Sequence, residues 1–225
     1  MNVLLDLDGT LTDPALGITN CIAYALTRLD IAAPPSHDLH FAIGPPLRGS
    51  FATLLGTSDA ARIEQAMTLY RERFADIGLF ENTVYDGVPE MLAALKSHNH
   101  RLLLATAKPH VYARRILAHF NIDQPFDGIY GSELDGTRQY KTDLLSYLLE
   151  REQIDPAGHP TVMIGDRTHD IEAARANACR AIGVSWGYGS ATELAGADAL
   201  CGQPMDLAGL LTERYGRTRA LRDPS

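Results

Sequence analysis

Cysteine is scarce in this chain of 225 residues: Cys21, Cys179 and Cys201 are few, odd in number and far apart. That excludes a disulfide framework and favours free, packed thiols in a reducing compartment. Long apolar runs are also missing. None approaches the ~20 residues a helix needs to cross a bilayer, so no membrane partner is expected. Basic charge is in deficit, with 20 Lys and Arg against 28 Asp and Glu and a formal net charge of −8. This argues against a nucleic-acid polymer as partner, because phosphate backbones demand basic patches. Small anionic molecules stay open, since a bound divalent cation reverses the local field. The amino terminus shows none of the basic, apolar and cleavage features of a leader, and repeats and low-complexity tracts are absent. A cytoplasmic location is the expectation. The 45% hydrophobic and 21% charged content suits an ordinary packed core that needs no staples.

What is present is a recurring alternation. Val3 to Leu5, Leu102 to Ala105, Thr161 to Ile164 and Ala181 to Trp186 are continuous apolar bursts. The second and third are followed by helical patterns, Tyr112, Ile116 and Phe120 after one and Ile171, Ala174 and Ala178 after the other. Continuous apolar strands alternating with helices predict an α/β protein with a parallel sheet covered on both faces. From Pro14 to Asn82 the alternation stops. Ile18, Ile22, Leu26 and Leu29 form one helical stripe, and Ile63, Met67, Tyr70 and Phe74 form another behind an N-cap at Ser58 or Asp59. Ile43-Gly44-Pro45-Pro46-Leu47 between them reads as a rigid loop or helix start. The expected organisation is a catalytic α/β core over 1–13 and 84–225, with a small all-helical domain over 14–83 inserted after the first strand. Helices that merely cover the sheet are the plainer alternative.

The strand ends carry the chemistry. Asp6 and Asp8 follow the first strand, Thr106 follows the second burst and Asp166 the third. In a parallel sheet these ends share one edge, where open α/β sheets bind ligands. Carboxylates are rarely buried unless paired or bound to metal. Asp6 and Asp166 suit a hard oxygen-ligated cation such as Mg²⁺, and an Asp pair also suits a nucleophile beside an acid/base. Asp170, four residues after Asp166, either orients metal-bound water or serves as a helix N-terminal carboxylate. Thr106 and the backbone N–H groups after it, including Ala107, suit phosphate oxygens; an ordinary capping threonine is the alternative. Lys141 begins a helix whose dipole it opposes, so either charge balance against phosphate and carboxylates holds it there or it is a solvated surface lysine.

Asp6-Leu7-Asp8-Gly9-Thr10-Leu11, Thr106, Lys141 and Gly165-Asp166 with Asp170 resemble, in order and spacing, the four motifs of the haloacid dehalogenase-like hydrolases. The resemblance spans nearly the whole chain and implies a Rossmann-like core with an inserted cap. Ile43-Gly44-Pro45-Pro46-Leu47, Tyr85-Asp86-Gly87-Val88 and Gly183 to Gly189 are similar to the phosphoglycolate-phosphatase branch, and Gly131 to Arg138 to bacterial members described as 5′-nucleotidases. It implies a Mg²⁺-dependent phosphomonoester hydrolase acting on a small phosphorylated metabolite. Asp6 would be the nucleophile and Asp8 the acid/base. Mg²⁺ would contact Asp6, the Asp8 backbone carbonyl and Asp166, and Thr106 and Lys141 would hold the phosphoryl group. Leu5, where an aromatic residue is usual, and Arg167-Thr168-His169, where small or polar residues are usual, depart from the pattern. A phosphomutase would keep Asp8, and a non-catalytic binding module would need none of the set. For substrate, phosphoglycolate is slightly favoured, with Arg48 as its cationic contact. A nucleoside monophosphate would want a shelf such as Phe41, Phe51 or Tyr188.

Overall fold

The computed structural model describes residues 1–215. Its sheet has six parallel strands in the order β5-β4-β1-β6-β7-β8. In chain order these are β1 (Asn2–Leu5), β4 (Arg101–Pro109), β5 (Gly128–Ser132), β6 (Thr161–Gly165), β7 (Arg180–Val184) and β8 (Ala199–Cys201). A short antiparallel pair, β2 (Thr12–Asp13) with β3 (Thr83–Val84), closes the neck of the insert. Strand β1 lies between β4 and β6, so its end is flanked by theirs. Every side chain of Val3-Leu4-Leu5 is buried, which is why the run is continuously apolar rather than alternating.

The two-residue period of a strand sends these side chains to opposite faces. Leu4, Leu103 and Met163 meet α6 (Lys141–Arg151) and α7 (Thr168–Ala176) in one cluster. Val3, Leu5, Leu104 and Ile164 meet α4 (Val88–Ser97), α5 (His110–His119) and α9 (Leu207–Tyr215) in the other. A four-residue helix α8 (Ala191–Leu194) joins the first cluster through Leu194. Helices therefore cover both faces of the sheet, as the alternation implies.

The insert contains α1 (Ala15–Arg28), a 3₁₀ segment over Ser36–Ala42, α2 (Leu47–Leu55), and α3 (Ala60–Arg73), which runs into a π turn over Phe74–Gly78. Its helices pack chiefly on one another, α1 on α3 and α2 on α3. The expected stripes are the buried ones: Ile18, Ile22 and Leu26 on α1, and Ile63, Met67, Tyr70 and Phe74 along α3 and its π turn. Asp59 is the N-cap of α3, accepting the Ala61 N–H at 3.0 Å. The Gly-Pro-Pro stretch leads into α2 as a helix start, with Pro46 as its N-cap. The three cysteines are free and buried. No helix among the described residues is long and apolar enough to cross a membrane.

Replacing Leu4, which has no exposed surface between the sheet and α6, by Ala is expected to cost roughly 2–5 kcal/mol through lost burial and a residual cavity. Leu16 on α1 is 61% exposed, and Leu16→Ala should stay within about 0.5 kcal/mol. Denaturant midpoints of the two variants check the contrast; equal losses would mean that the β1 face is not the central packing layer.

Candidate active site

The end of β1 turns back on itself at once. Leu11 and Thr12 donate backbone N–H groups to the Leu7 carbonyl at 2.8 and 3.0 Å, and Gly9 donates to the Thr12 carbonyl at 2.8 Å. Gly9 sits at φ +82°, and a Cβ there would lie 2.2 Å from Asp166 Oδ2. Only glycine allows both the left-handed turn and that approach. Gly165 serves the next loop likewise: a Cβ would lie 2.0 Å from the Asp170 carboxyl carbon. These two glycines let four aspartates crowd into one buried volume.

Asp6, Asp8, Asp166 and Asp170 are all buried, and so are Lys108 and Lys141. Lys141 Nζ lies 2.6 Å from Asp6 Oδ2 and 2.5 Å from Asp170 Oδ1. Its place at the start of α6 is thereby explained, since two carboxylates outweigh the unfavourable helix dipole. Asp170 Oδ2 accepts the Arg167 N–H at 3.0 Å, so Asp170 also caps α7. Asp6 Oδ1 accepts the Leu7 N–H at 2.8 Å. Asp166 Oδ2 accepts the Tyr188 N–H at 2.7 Å, while its Oδ1 is buried without a hydrogen-bond partner.

One oxygen from each of Asp6, Asp166 and Asp170 lies within 4.8 Å of the others. Burial, with Asp170 and Asp6 adding to it, pushes the Asp166 carboxyl up to about 8. Burial likewise raises Asp8 and Asp170 despite their lysine partners. Burial alone would depress Lys141, but Asp170 and Asp6 outweigh it and hold the ammonium charged. Four carboxylates against two ammonium groups leave a formal charge of −2. An orphaned buried oxygen, an all-oxygen donor set and that deficit fit a hard divalent cation.

Lys108 is the residue that sequence reasoning overlooked. Strand β4 pairs Thr106 with Gly131 and then Pro109 with Ser132, so Ala107 and Lys108 form a bulge. A Cβ on Gly131 would lie 2.4 Å from the Lys108 carbonyl oxygen, and the glycine makes room for the bulge. Bulges beside active sites commonly re-aim a side chain. Lys108 Nζ lies 2.7 Å from Asp8 Oδ2 and 4.8 Å from the centroid of the Phe74 ring. The local sequence carries no signal for it, because the bulge breaks the two-residue period of the strand. Thr106 itself is buried at the strand end, its Oγ1 3.3 Å from the Lys108 N–H.

A cleft opens between the insert and the core above Asp8, Ala107 and Lys108, with Tyr70, Phe74 and Tyr112 among its walls. Arg48 lines it too, but not as a free cation: it is ion-paired to Glu64, which also holds Arg71 at 3.2 Å. The expected aromatic shelves are elsewhere. Phe51 is fully buried against Tyr70, Phe41 is exposed outside the cleft, and Tyr188 is tied to Asp13 and packed on His40. The wall aromatics instead come from the stripe of α3 and from α5. Arg167 reaches across to the insert and donates to the Ile43 carbonyl at 2.6 Å while pairing with Glu193. His169 is half exposed near Glu172, away from the cleft.

A family model for haloacid dehalogenase-like hydrolases matches residues 3–184. The chain is 50% identical over 193 residues to a 5′-nucleotidase from Pseudomonas aeruginosa, covering 86% of each. It is 38% identical to the tyrosine-protein kinase PtkA of Mycobacterium tuberculosis, covering 84% of this chain and 63% of that protein. The phosphoglycolate phosphatase of Colwellia psychrerythraea is 28% identical, over 83% of this chain and 84% of that enzyme. A crystal structure described as a predicted phosphatase from Clostridium acetobutylicum superposes with a TM-score of 0.89 at 40% identity, covering 94% of this chain and 98% of that one. The chain belongs to the haloacid dehalogenase-like hydrolases and is a phosphatase of that family.

Proposed function

We propose that the protein is a Mg²⁺-dependent phosphomonoester hydrolase that passes through an aspartyl-phosphate on Asp6, and that it acts on nucleoside 5′-monophosphates. The observation that carries the mechanism is the buried charge deficit around Asp166 Oδ1, an oxygen with no protein partner beside the Lys141-bound Asp6. Asp6 and Asp166, with the Asp8 backbone carbonyl, would hold the cation. When bound, Mg²⁺ supplies the positive charge that a transferring phosphoryl group requires. Asp170 takes no part as a ligand in this reading, because both its oxygens are occupied by Lys141 and the Arg167 N–H. It positions Lys141.

The remaining steps belong to the protein's own groups. Asp6 attacks phosphorus in line with the ester bond. That bond breaks with its electron pair on the ester oxygen, which takes a proton from Asp8. Water then attacks the aspartyl-phosphate, giving its proton to Asp8 as the bond between Asp6 and phosphorus breaks. Thr106, the Ala107 N–H and Lys141 stabilise the equatorial oxygens. Residues 14–83 act as a cap that excludes bulk water and reads the leaving group.

Two observations favour a nucleotide. Tyr112, half-buried in the cleft wall, offers aromatic surface suited to a base, and the Pseudomonas relative bears the name 5′-nucleotidase. Phosphoglycolate is the second reading, favoured by Arg48 and Arg71 sharing the single carboxylate of Glu64 and so leaving one positive charge at the cleft. Steady-state kcat/KM for a panel of nucleoside monophosphates and for phosphoglycolate separates them. At least about tenfold preference for a nucleotide, worth ~1.4 kcal/mol, is expected; the reverse preference would favour the second reading. Arg48→Ala should change KM for a nucleotide by less than roughly threefold, because its charge is already spent on a half-exposed ion pair.

Excess chelator should abolish phosphate release and added Mg²⁺ restore it. Independently of turnover, Mg²⁺ should raise the thermal midpoint of the wild type and not that of Asp166→Asn; at a hundred times Kd the stabilisation is about 2.7 kcal/mol. Equal midpoints with and without Mg²⁺ in the wild type would sink the metal assignment. Asp6→Asn should be inactive and take no label from a phosphorylated substrate, whereas Asp8→Asn should lose roughly 10²–10⁴-fold. Normal turnover in Asp6→Asn together with a dead Asp8→Asn would reverse the two roles.

A further inference from the structure

We infer that Lys108 is a positioning residue for the acid/base Asp8, and that Phe74 of the insert holds Lys108 in place, so that closure of the insert assembles the proton-transfer group. This rests on the reading of Asp8 as the acid/base. Three observations carry it. Lys108 Nζ binds only one Asp8 oxygen, Oδ2 at 2.7 Å, while Asp8 Oδ1 is buried without a protein partner. Asp8, Lys108 and Phe74 all line the cleft between insert and core. The ammonium lies 4.8 Å from the centroid of the Phe74 ring, within cation–π range.

The ring is itself fixed. It stacks on Tyr70 at 5.1 Å and meets Tyr112 of the core edge-on at 5.4 Å. Phe74 begins the π turn that ends α3, a local break of the kind found at functional sites.

The arrangement has a direct chemical consequence. With Oδ2 anchored, the carboxyl group presents Oδ1 as the atom that gives and takes the proton. When the ester bond breaks and the alkoxide takes that proton, the carboxylate left behind already faces an ammonium group. Lys108 is not consumed and forms no bond. It orients the carboxyl and stabilises its charged form after transfer. Until Phe74 arrives above it, the long lysine side chain has freer rotation, and each rotamer that leaves Oδ2 frees the carboxyl to turn.

Leaving-group dependence tests this. With enzyme in excess over ester, release of the leaving group reports only the step in which Asp6 takes the phosphoryl group. A nucleoside leaves as a strongly basic alkoxide that needs the Asp8 proton; p-nitrophenolate does not. Lys108→Met should slow nucleoside release from a nucleoside monophosphate by roughly 10²-fold or more, and p-nitrophenolate release from its phosphate by less than about tenfold. Phe74→Leu, which keeps an apolar side chain at this position but removes the ring face, should slow the nucleoside step about tenfold and leave the aryl step within a factor of about two, as loss of a positioning contact predicts. Thermal midpoints are measured alongside. Equal slowing of both esters in folded Lys108→Met would make Lys108 a general phosphate-binding group and overturn the inference, as would no slowing of either. A Phe74→Leu enzyme indistinguishable from wild type would overturn the coupling to the insert. A wild type inert toward both esters would overturn the phosphatase mechanism itself, and this inference with it.

Discussion

Lys141 between Asp6 and Asp170 is the contact on which the rest of the site depends. It ties the end of β1, the start of α6 and the first turn of α7 at a point with almost no access to water. A buried ion pair recovers its desolvation cost only with good geometry and satisfied neighbours, and removing one member typically costs 3–5 kcal/mol. Here the neighbours are satisfied by backbone. Leu7 N–H binds Asp6, Arg167 N–H binds Asp170 and Tyr188 N–H binds Asp166. Each donor comes from a loop that leaves a strand end, so the charges also define the loop conformations. Asp166 Oδ1 and Asp8 Oδ1 are the carboxylate oxygens left over among the described buried side chains. Both stand where the proposed chemistry needs an unoccupied oxygen, one toward a cation and one toward a proton.

The residues legible in the sequence were those whose position contradicts their chemistry. Acids directly after fully apolar strands, and a lysine opposing a helix dipole, cannot be accounted for by local structure. Asp6, Asp8, Asp166 and Lys141 stood out for that reason, and β1, β4, β6 and β7 were visible as apolar runs. Strand β5, Gly128-Ile-Tyr-Gly-Ser, was not. Its glycines weaken any strand pattern, and the structure uses one of them to admit the β4 bulge rather than to pack a side chain. Lys108 was hidden by the same bulge, because its placement depends on two strands at once. The α8, β8 and α9 elements lack a clear period over so few residues.

Helical spacing found which residues of the insert are buried but not what buries them. Tyr70 and Phe74 share a stripe with Ile63 and Met67, yet they also form the cleft wall beside a lysine ammonium. Phe51, an aromatic that sequence alone offers as a shelf, is interior packing for Tyr70. Local sequence offers Arg48 as a cationic contact, while its partner, Glu64, lies on a different helix and sixteen residues away. Charge pairing between elements is a property of the packed structure, and local sequence gives no warning of it.

Three contacts between insert and core fall at successive strand ends. Phe74 meets Lys108 in the bulge at the end of β4, Arg71 donates to the Leu134 carbonyl beyond β5 at 2.8 Å, and Arg167 beyond β6 donates to the Ile43 carbonyl at 2.6 Å. Each joins the insert to a loop that also carries or adjoins a residue of the charged cluster. Asp6 and Asp166 are 2% and 0% exposed, so the proposed mechanism requires such contacts to release before a substrate phosphate reaches them. Their chemistry suits that requirement. Charged donors to carbonyl oxygens, and an ammonium on a ring face, have replacements available in water, whereas separating a large apolar interface exposes surface at ~25 cal/mol per Å² with nothing to offset it. Aromatic contacts also join the insert to the core, Phe74 on Tyr112 and Phe80 on His119, so in the proposed mechanism the polar contacts ease release of the cap without being its whole attachment.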